Sequence, residues 1–220
     1  PRLPIDSGYL SFSATGKISI AGGVKSKVPK DSIGRGSLID INSPGNVLIN
    51  KSGTGGAADD LVLQASVLNR LNAESLLIGG LRSFTPGGVT VAVNADNLTL
   101  DNAGAKLLGP DIILVAKSRV ILDKNSQIEA TGEKAALDNI TLGQATAGSG
   151  DGALVRVSGN RSGGVSRIGV TDSPLPGLFV RDGASLKGGS IFLDSTSQTS
   201  LSSSAKLNSA ALSISSGQIS

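Results

Sequence analysis

Two aspartates, two glycine-rich runs and a group of arginines are the residues of this 220-residue chain whose types and spacing could do chemistry. Asp101 and Asp123 each follow an apolar pair, Leu98 and Leu100 in one case and Val120 and Leu122 in the other, so the two acids stand in equivalent settings. If the pairs are stacked strands, the backbones that carry the carboxylates lie about 4.8 Å apart. That spacing resembles the acid pair of a retaining glycosidase, and parallel β-helices do host polysaccharide-cleaving enzymes. The structural reading is the stronger one. Lys106 and Lys124 lie close in sequence, aspartate is common at strand ends because its side chain caps turn amides, and no third acid or arginine is identified at the same position of a further coil.

The run Gly53-Thr54-Gly55-Gly56-Ala57-Ala58 follows the apolar stretch Val47 to Asn50 and precedes residues with helical spacing, with Glu74 about twenty residues on. It mimics a dinucleotide fingerprint. A chain corner wants the same glycines for positive φ, and the sequence has no alternation of strands with long helices, so no cofactor is expected. Gly148-Ser149-Gly150-Asp151-Gly152 resembles one unit of a calcium-binding repeat. Such sites need tandem copies to supply six or more oxygens, so the single copy reads as an exposed turn. No acid falls between Asp151 and Asp172, whereas Arg156, Arg161 and Arg167 do, and Arg181 follows. These four arginines are the candidates for contact with an anionic glycan or lipid head, since guanidinium grips sulfate and carboxylate bidentately. The plainer reading is that they keep a surface soluble.

Composition excludes much other chemistry. The chain has no Cys, His or Met, which removes the Ser-His-Asp triad, thiolate and histidine metal sites and the usual axial ligands of haem. A net charge of +3 with 2% aromatic residues makes nucleic acid a poor partner, because stacking platforms are missing. Runs such as Ile112 to Ala116 are far too short to span a bilayer, so a soluble segment is expected. The start at Pro1 without an initiator Met suggests a piece of a longer chain.

The elements that must position these residues show in a repeat. Leu178 and Val180, Ala184 and Leu186, Ile191 and Leu193 recur as Thr199 and Leu201, Ala205 and Leu207, Leu212 and Ile214, every position displaced by the same interval. Upstream the template returns as Leu98 and Leu100, Ala105 and Leu107, Ile112 and Leu114. The coil after it has Val120 and Leu122, then Ser126 and Ile128, with Ile140 and Leu142 as its third pair behind an inserted loop containing Glu133 and Lys134. Two-residue periodicity means strand. Three short strands per turn can close a coil, and stacked coils pair in parallel. The expected fold is therefore all-β, a right-handed parallel β-helix of about 21 residues per coil with inserted loops, occupying residues 1–220 as one shaft segment. Small residues at Ala105, Ser126, Ala184 and Ala205 suit a narrow interior. The first half is less regular: Ile18 and Ile20, Leu38 to Ile41, Val47 and Ile49, Leu61 and Leu63, Leu76 and Ile78, and Val89 to Val93 read as strands. Residues from Ala58 to Leu71 also match helical spacing, and a short helix is the secondary reading there.

The run from Leu71 through Ser75-Leu76-Leu77-Ile78-Gly79-Gly80-Leu81 to Arg82 resembles a recurrent segment of filamentous-haemagglutinin-like large exoproteins of Gram-negative bacteria, the passengers of two-partner secretion. Leu108 to Ala116, Gly150 to Ser158 and Ile191 to Thr196 resemble further blocks of that family in the same order, so the likeness covers roughly residues 60 to 220. The family's asparagine-proline-rich secretion signature is absent, and the segment resembles the shaft beyond it. The resemblance implies secretion to the bacterial outer surface through an outer-membrane pore protein. It also implies a non-catalytic adhesive or display role towards a host-cell or matrix glycan or protein. Some members are involved in haem use, but this segment lacks His, Met and Cys and has Tyr9 as its sole conventional ligand candidate, so haem is not expected here. The alternatives are a subunit that stacks end to end into a filament, its two ends lacking amphipathic caps, and a polysaccharide lyase or hydrolase on the same scaffold.

Overall fold

The computed structural model describes residues 7–20, 24, 34, 36–86, 88–132 and 139–220. The chain opens with β1 (Tyr9–Ser13), β2 (Leu38–Asn42), β3 (Val47–Asn50) and β4 (Leu61–Gln64), then the helix α1 (Ala65–Arg70) and β5 (Ser75–Ile78). An antiparallel hairpin follows, β6 (Gly80–Thr85) with β7 (Gly88–Val93). Next come β8 (Asn97–Asp101), β9 (Leu107–Gly109), β10 (Asp111–Ala116), β11 (Arg119–Leu122) and β12 (Gln127–Ala130). The second half holds β13 (Ile140–Leu142), β14 (Ala153–Ser158), β15 (Val165–Arg167), β16 (Gly177–Val180), β17 (Ser185–Lys187) and β18 (Ser190–Ser195). It finishes with β19 (Gln198–Leu201), β20 (Lys206–Asn208), β21 (Ala211–Ser215) and β22 (Gln218–Ile219).

These strands make four sheets, and the fold is all-β with predominantly parallel pairing. The first sheet runs β1-β2-β5-β10-β14-β18-β21, the second β22-β19-β16-β11-β8-β3-β4, the third β20-β17-β12-β9 and the fourth β15-β13-β7-β6. From β16 onward the chain visits the second, third and first sheets in rotation. Leu178 pairs with Thr199, Leu186 with Leu207 and Ile191 with Leu212, each with its counterpart in the next copy of the sequence template. Leu98 pairs with Val120 in the same way.

Strand alternation sends every second residue inward. Leu98, Leu100, Val120, Leu122, Leu178, Ile191 and Leu193 are fully buried in one continuous core enclosed by the first three sheets. Small side chains sit where the chain turns between sheets: Ser126 and Ala184 are 1% and 0% exposed. Before β12 Asn125 has φ 59° and, at the matching turn before its partner β17, Gly183 has φ 68°. A Cβ on Gly183 would collide with the Asn125 side-chain oxygen, which is why the second position is glycine.

A second core lies on the outer side of the first sheet. Leu77, Ile113, Val115 and Leu154 face Val89, Val91 and Val93 of β7 and Ile140 and Leu142 of β13. The fourth sheet thus covers β5, β10 and β14, all of which are buried at every position. That double burial accounts for the unbroken apolar run Ile112 to Ala116, where an alternating pattern would otherwise stand.

Several expectations change. Ile140 and Leu142 do not form the third strand of their coil; they pair with β7 and β15 in the fourth sheet. The vacant place in the first sheet is taken by β14, which runs antiparallel to both β10 and β18. Glu133 and Lys134 of the inserted loop lie outside the described residues. Ile18 and Ile20 are not in a strand, yet with Phe12, Ala14 and Val24 they pack against the main core. Lys17 and Ile18 line a depression with Val62 of β4. Residues 61–64 are strand and 65–70 are helix, so both readings of that stretch hold in part.

Candidate functional site

The outer faces of the second and third sheets carry the polar side chains that could meet a ligand. On the second sheet Leu100 pairs with Leu122, and the Asp123 N–H donates to the Leu100 carbonyl at 2.9 Å. Asp101 and Asp123 are therefore neighbours in one row, as the repeat predicts. The next member of that row is Arg181, because Leu122 pairs with Val180, and Arg181 Nε lies 3.7 Å from Asp123 Oδ1. Its membership of the four candidate arginines was legible, but its place in this row escaped the sequence reading because the long insertion after β12 separates Leu122 from its partner Val180. Aligning the pair Leu178 and Val180 with Val120 and Leu122 would have exposed it. Asp123, Lys124, Phe179, Arg181, Asp182 and Ser202 line an open depression of about 520 Å³. Its acids and bases interleave, which suits hydrogen bonding to a polar surface better than concentrating one charge.

The glycine-rich run after β3 is a corner. Gly53, Gly55 and Gly56 have φ of 72°, 89° and 79°, and β4 returns parallel beside β3. The Gly53 N–H donates to Asn50 Oδ1 at 2.7 Å and the Ala57 N–H to Asp60 Oδ2 at 2.8 Å. Those amides serve the turn, and the helix beyond has only six residues. In the second run, Asp151 is 9% exposed; it accepts from the Thr171 N–H at 2.9 Å and from the Thr171 hydroxyl. The carboxylate ties the insertion to its own return segment.

The four candidate arginines do not form one surface patch. Arg156 is 0% exposed. Its Nε donates to Asp111 Oδ1 at 2.9 Å and Nη2 to Asp111 Oδ2 at 3.3 Å. Asp111 also accepts from the Ser75 hydroxyl at 2.6 Å and from Ser158. Arg167 holds Asp194 through Nε and Nη2 and donates Nη1 to the Gly150 carbonyl at 2.6 Å. Both guanidiniums are consumed by tying the insertion to the first sheet. Arg161 and Arg181 are exposed.

A second buried pair lies beside the first. The Arg82 N–H donates to Asp40 Oδ2 at 2.7 Å, its Nη1 stands 3.4 Å from Oδ1, and its Nη2 donates to Ser75 Oγ at 2.9 Å. The Tyr9 hydroxyl also donates to Asp40, at 2.7 Å. Burial pushes the Asp40 carboxyl above the usual range against the pull of Arg82, and burial lowers Arg82 against the pull of Asp40 and Asp111. Burial together with the bond to Asp40 pushes the Tyr9 phenol up to about 12. The signal available in the sequence was one charge inside an apolar run, Leu38-Ile39-Asp40-Ile41.

On the third sheet, Glu129 Oε2 accepts from Lys106 Nζ at 2.7 Å and Oε1 from Lys187 Nζ at 2.8 Å. These bonds and charges pull the Glu129 carboxyl down to about 2. Lys106, Gln127, Glu129, Ser185, Lys187 and Lys206 share a groove of about 350 Å³. No cluster of three metal-ligating side chains occurs among the described residues, and none of their helices is long and apolar enough to cross a membrane. Comparison with family models, curated proteins and solved structures finds no match to this chain.

Proposed function

We propose that the chain is a segment of a right-handed parallel β-helical shaft whose work is display and adhesion at a cell surface, without catalysis. The observation that carries this reading is the constant offset between paired residues in three different sheets, Leu178 with Thr199, Leu186 with Leu207 and Ile191 with Leu212. Such stacking makes a rod that lengthens by about 4.8 Å per added coil, and its outer faces are long, open and polar. The most deeply buried charged side chains, Asp40, Asp111, Arg82 and Arg156, are spent on joining strands, in keeping with a mechanical part.

The likeness of residues 60 to 220 to filamentous-haemagglutinin-like exoproteins supports a secreted, surface-held chain of a Gram-negative bacterium, exported through an outer-membrane pore partner and meeting a host-cell or matrix glycan or protein. End-to-end self-assembly is the less favoured reading, because the likeness is to very long chains.

The test sets binding against turnover. The chain is incubated with a panel of polysaccharides and with cells, and both retention and release of reducing or unsaturated ends are measured. Retention without release is expected, and the double substitution Asp101→Asn with Asp123→Asn should leave retention unchanged. A cleaving activity abolished by that double variant would overturn the reading in favour of an enzyme.

A further inference from the structure

The outer face of the third sheet is arranged in two rows that run across the strands. Lys206 stands opposite Ser185, Ser185 opposite Gln127, and Lys106 falls beside Gln127 because Leu107 pairs with Ile128. The first row therefore reads Lys106, Gln127, Ser185, Lys206. The backbones that carry its two lysines are three strand spacings apart, about 14 Å. The second row reads Leu108, Glu129, Lys187, Asn208. Long lysine side chains thus surround the short floor of Gln127 and Ser185, and Asn125 and Gly183 line the remaining side.

The donors in this groove are unequally used. Lys106 and Lys187 are anchored by the same carboxylate, that of Glu129. The Lys206 ammonium, the Gln127 amide and the Ser185 hydroxyl have no side-chain partner among the described residues. Three lysines against one glutamate leave an excess of positive charge. Glu129 fixes Lys187 in place, which lowers the entropic cost of presenting that ammonium to a ligand. Ammonium, amide and hydroxyl donors converging on one concavity are what a tetrahedral oxyanion requires.

We infer that the groove over Gln127 and Ser185 binds a phosphate or sulfate group, held chiefly by Lys187 and Lys206. The group is free in solution or borne on a polymer, and the same donors serve either source. This site is separate from the four arginines that the sequence singles out, and it does not depend on the display reading, because ion binding can be measured on the chain alone.

The experiment follows backbone amide NMR shifts of the whole chain at low ionic strength, first with inorganic phosphate and then with dextran sulfate. Saturable shifts concentrated at Asn125, Gln127, Gly183, Ser185 and Lys206 are expected. The double substitution Lys187→Gln with Lys206→Gln should weaken binding at least about tenfold, the loss of two charge-assisted hydrogen bonds. Lys117→Gln, which removes an exposed partner of Asp96, should leave it unchanged. Loss in the double variant with phosphate assigns a free-ion site, and loss with dextran sulfate alone assigns a polymer-borne group. Shifts scattered over the surface, no saturable shifts with either probe, or affinity indifferent to the double substitution would overturn the proposal.

Discussion

Replacing Arg156 with Met separates the two roles that this residue could have. Its guanidinium is 0% exposed and makes two hydrogen bonds to Asp111, which is itself 0% exposed. Methionine keeps much of the packing volume but takes the guanidinium from the Asp111 carboxylate, to which the Ser75 and Ser158 hydroxyls still donate. Breaking a buried pair from one side costs about 3–5 kcal/mol, because the remaining charge is stranded. At this chain length each kcal/mol moves Tm by about 2–4 °C, so the midpoint should fall by about 6–20 °C. Removing the second charge as well, with Asp111→Leu, should recover much of that loss and show a coupling of about 2 kcal/mol or more between the two sites. Urea unfolding followed by circular dichroism measures all three variants. A cost below about 1 kcal/mol for Arg156→Met, or costs that simply add in the double variant, would refute the buried clamp. A surface contact to an anionic glycan would instead leave stability unchanged and abolish glycan retention.

Two further outcomes are expected. Leu193 is fully buried in the main core and Leu108 is 42% exposed, so Leu193→Asp should cost at least about 3 kcal/mol and Leu108→Asp stay within about 0.5 kcal/mol; thermal melts that rank them the other way would sink the strand register. The Glu129 carboxyl lies at about 2, below its ordinary 4.5, so its bridge to Lys106 and Lys187 contributes in full above pH 4.5 and is lost as pH falls through about 2. An NMR titration should place that carboxyl near 2, and Lys106→Gln with Lys187→Gln should return it towards 4.5; an unaltered titration in the double variant would show that the bridge does not form.

The local period of two and the recurrence of one three-strand template were enough to determine parallel strands, their register and the inward set, because one slipped residue would turn every apolar side chain outward. Leu178 with Thr199 and Ile191 with Leu212 pair as the repeat alone dictates. Tertiary structure decided what the insertion does. Nothing local in Ala153 to Ser158 distinguishes a strand that runs with its neighbours from one that runs against them, and its antiparallel direction depends on β13 and β15 joining the fourth sheet on either side of it. The partners of Arg156 and Arg167 were hidden for the same reason. An empty stretch of acids along the chain says only that no carboxylate is near in sequence, whereas Asp111 and Asp194, which hold Arg156 and Arg167, lie 45 and 27 residues away. Electrostatic pairing acts through space, so only the folded chain could show which charges are joined inside and which, like Lys187 and Lys206 on the third sheet, are left facing outward.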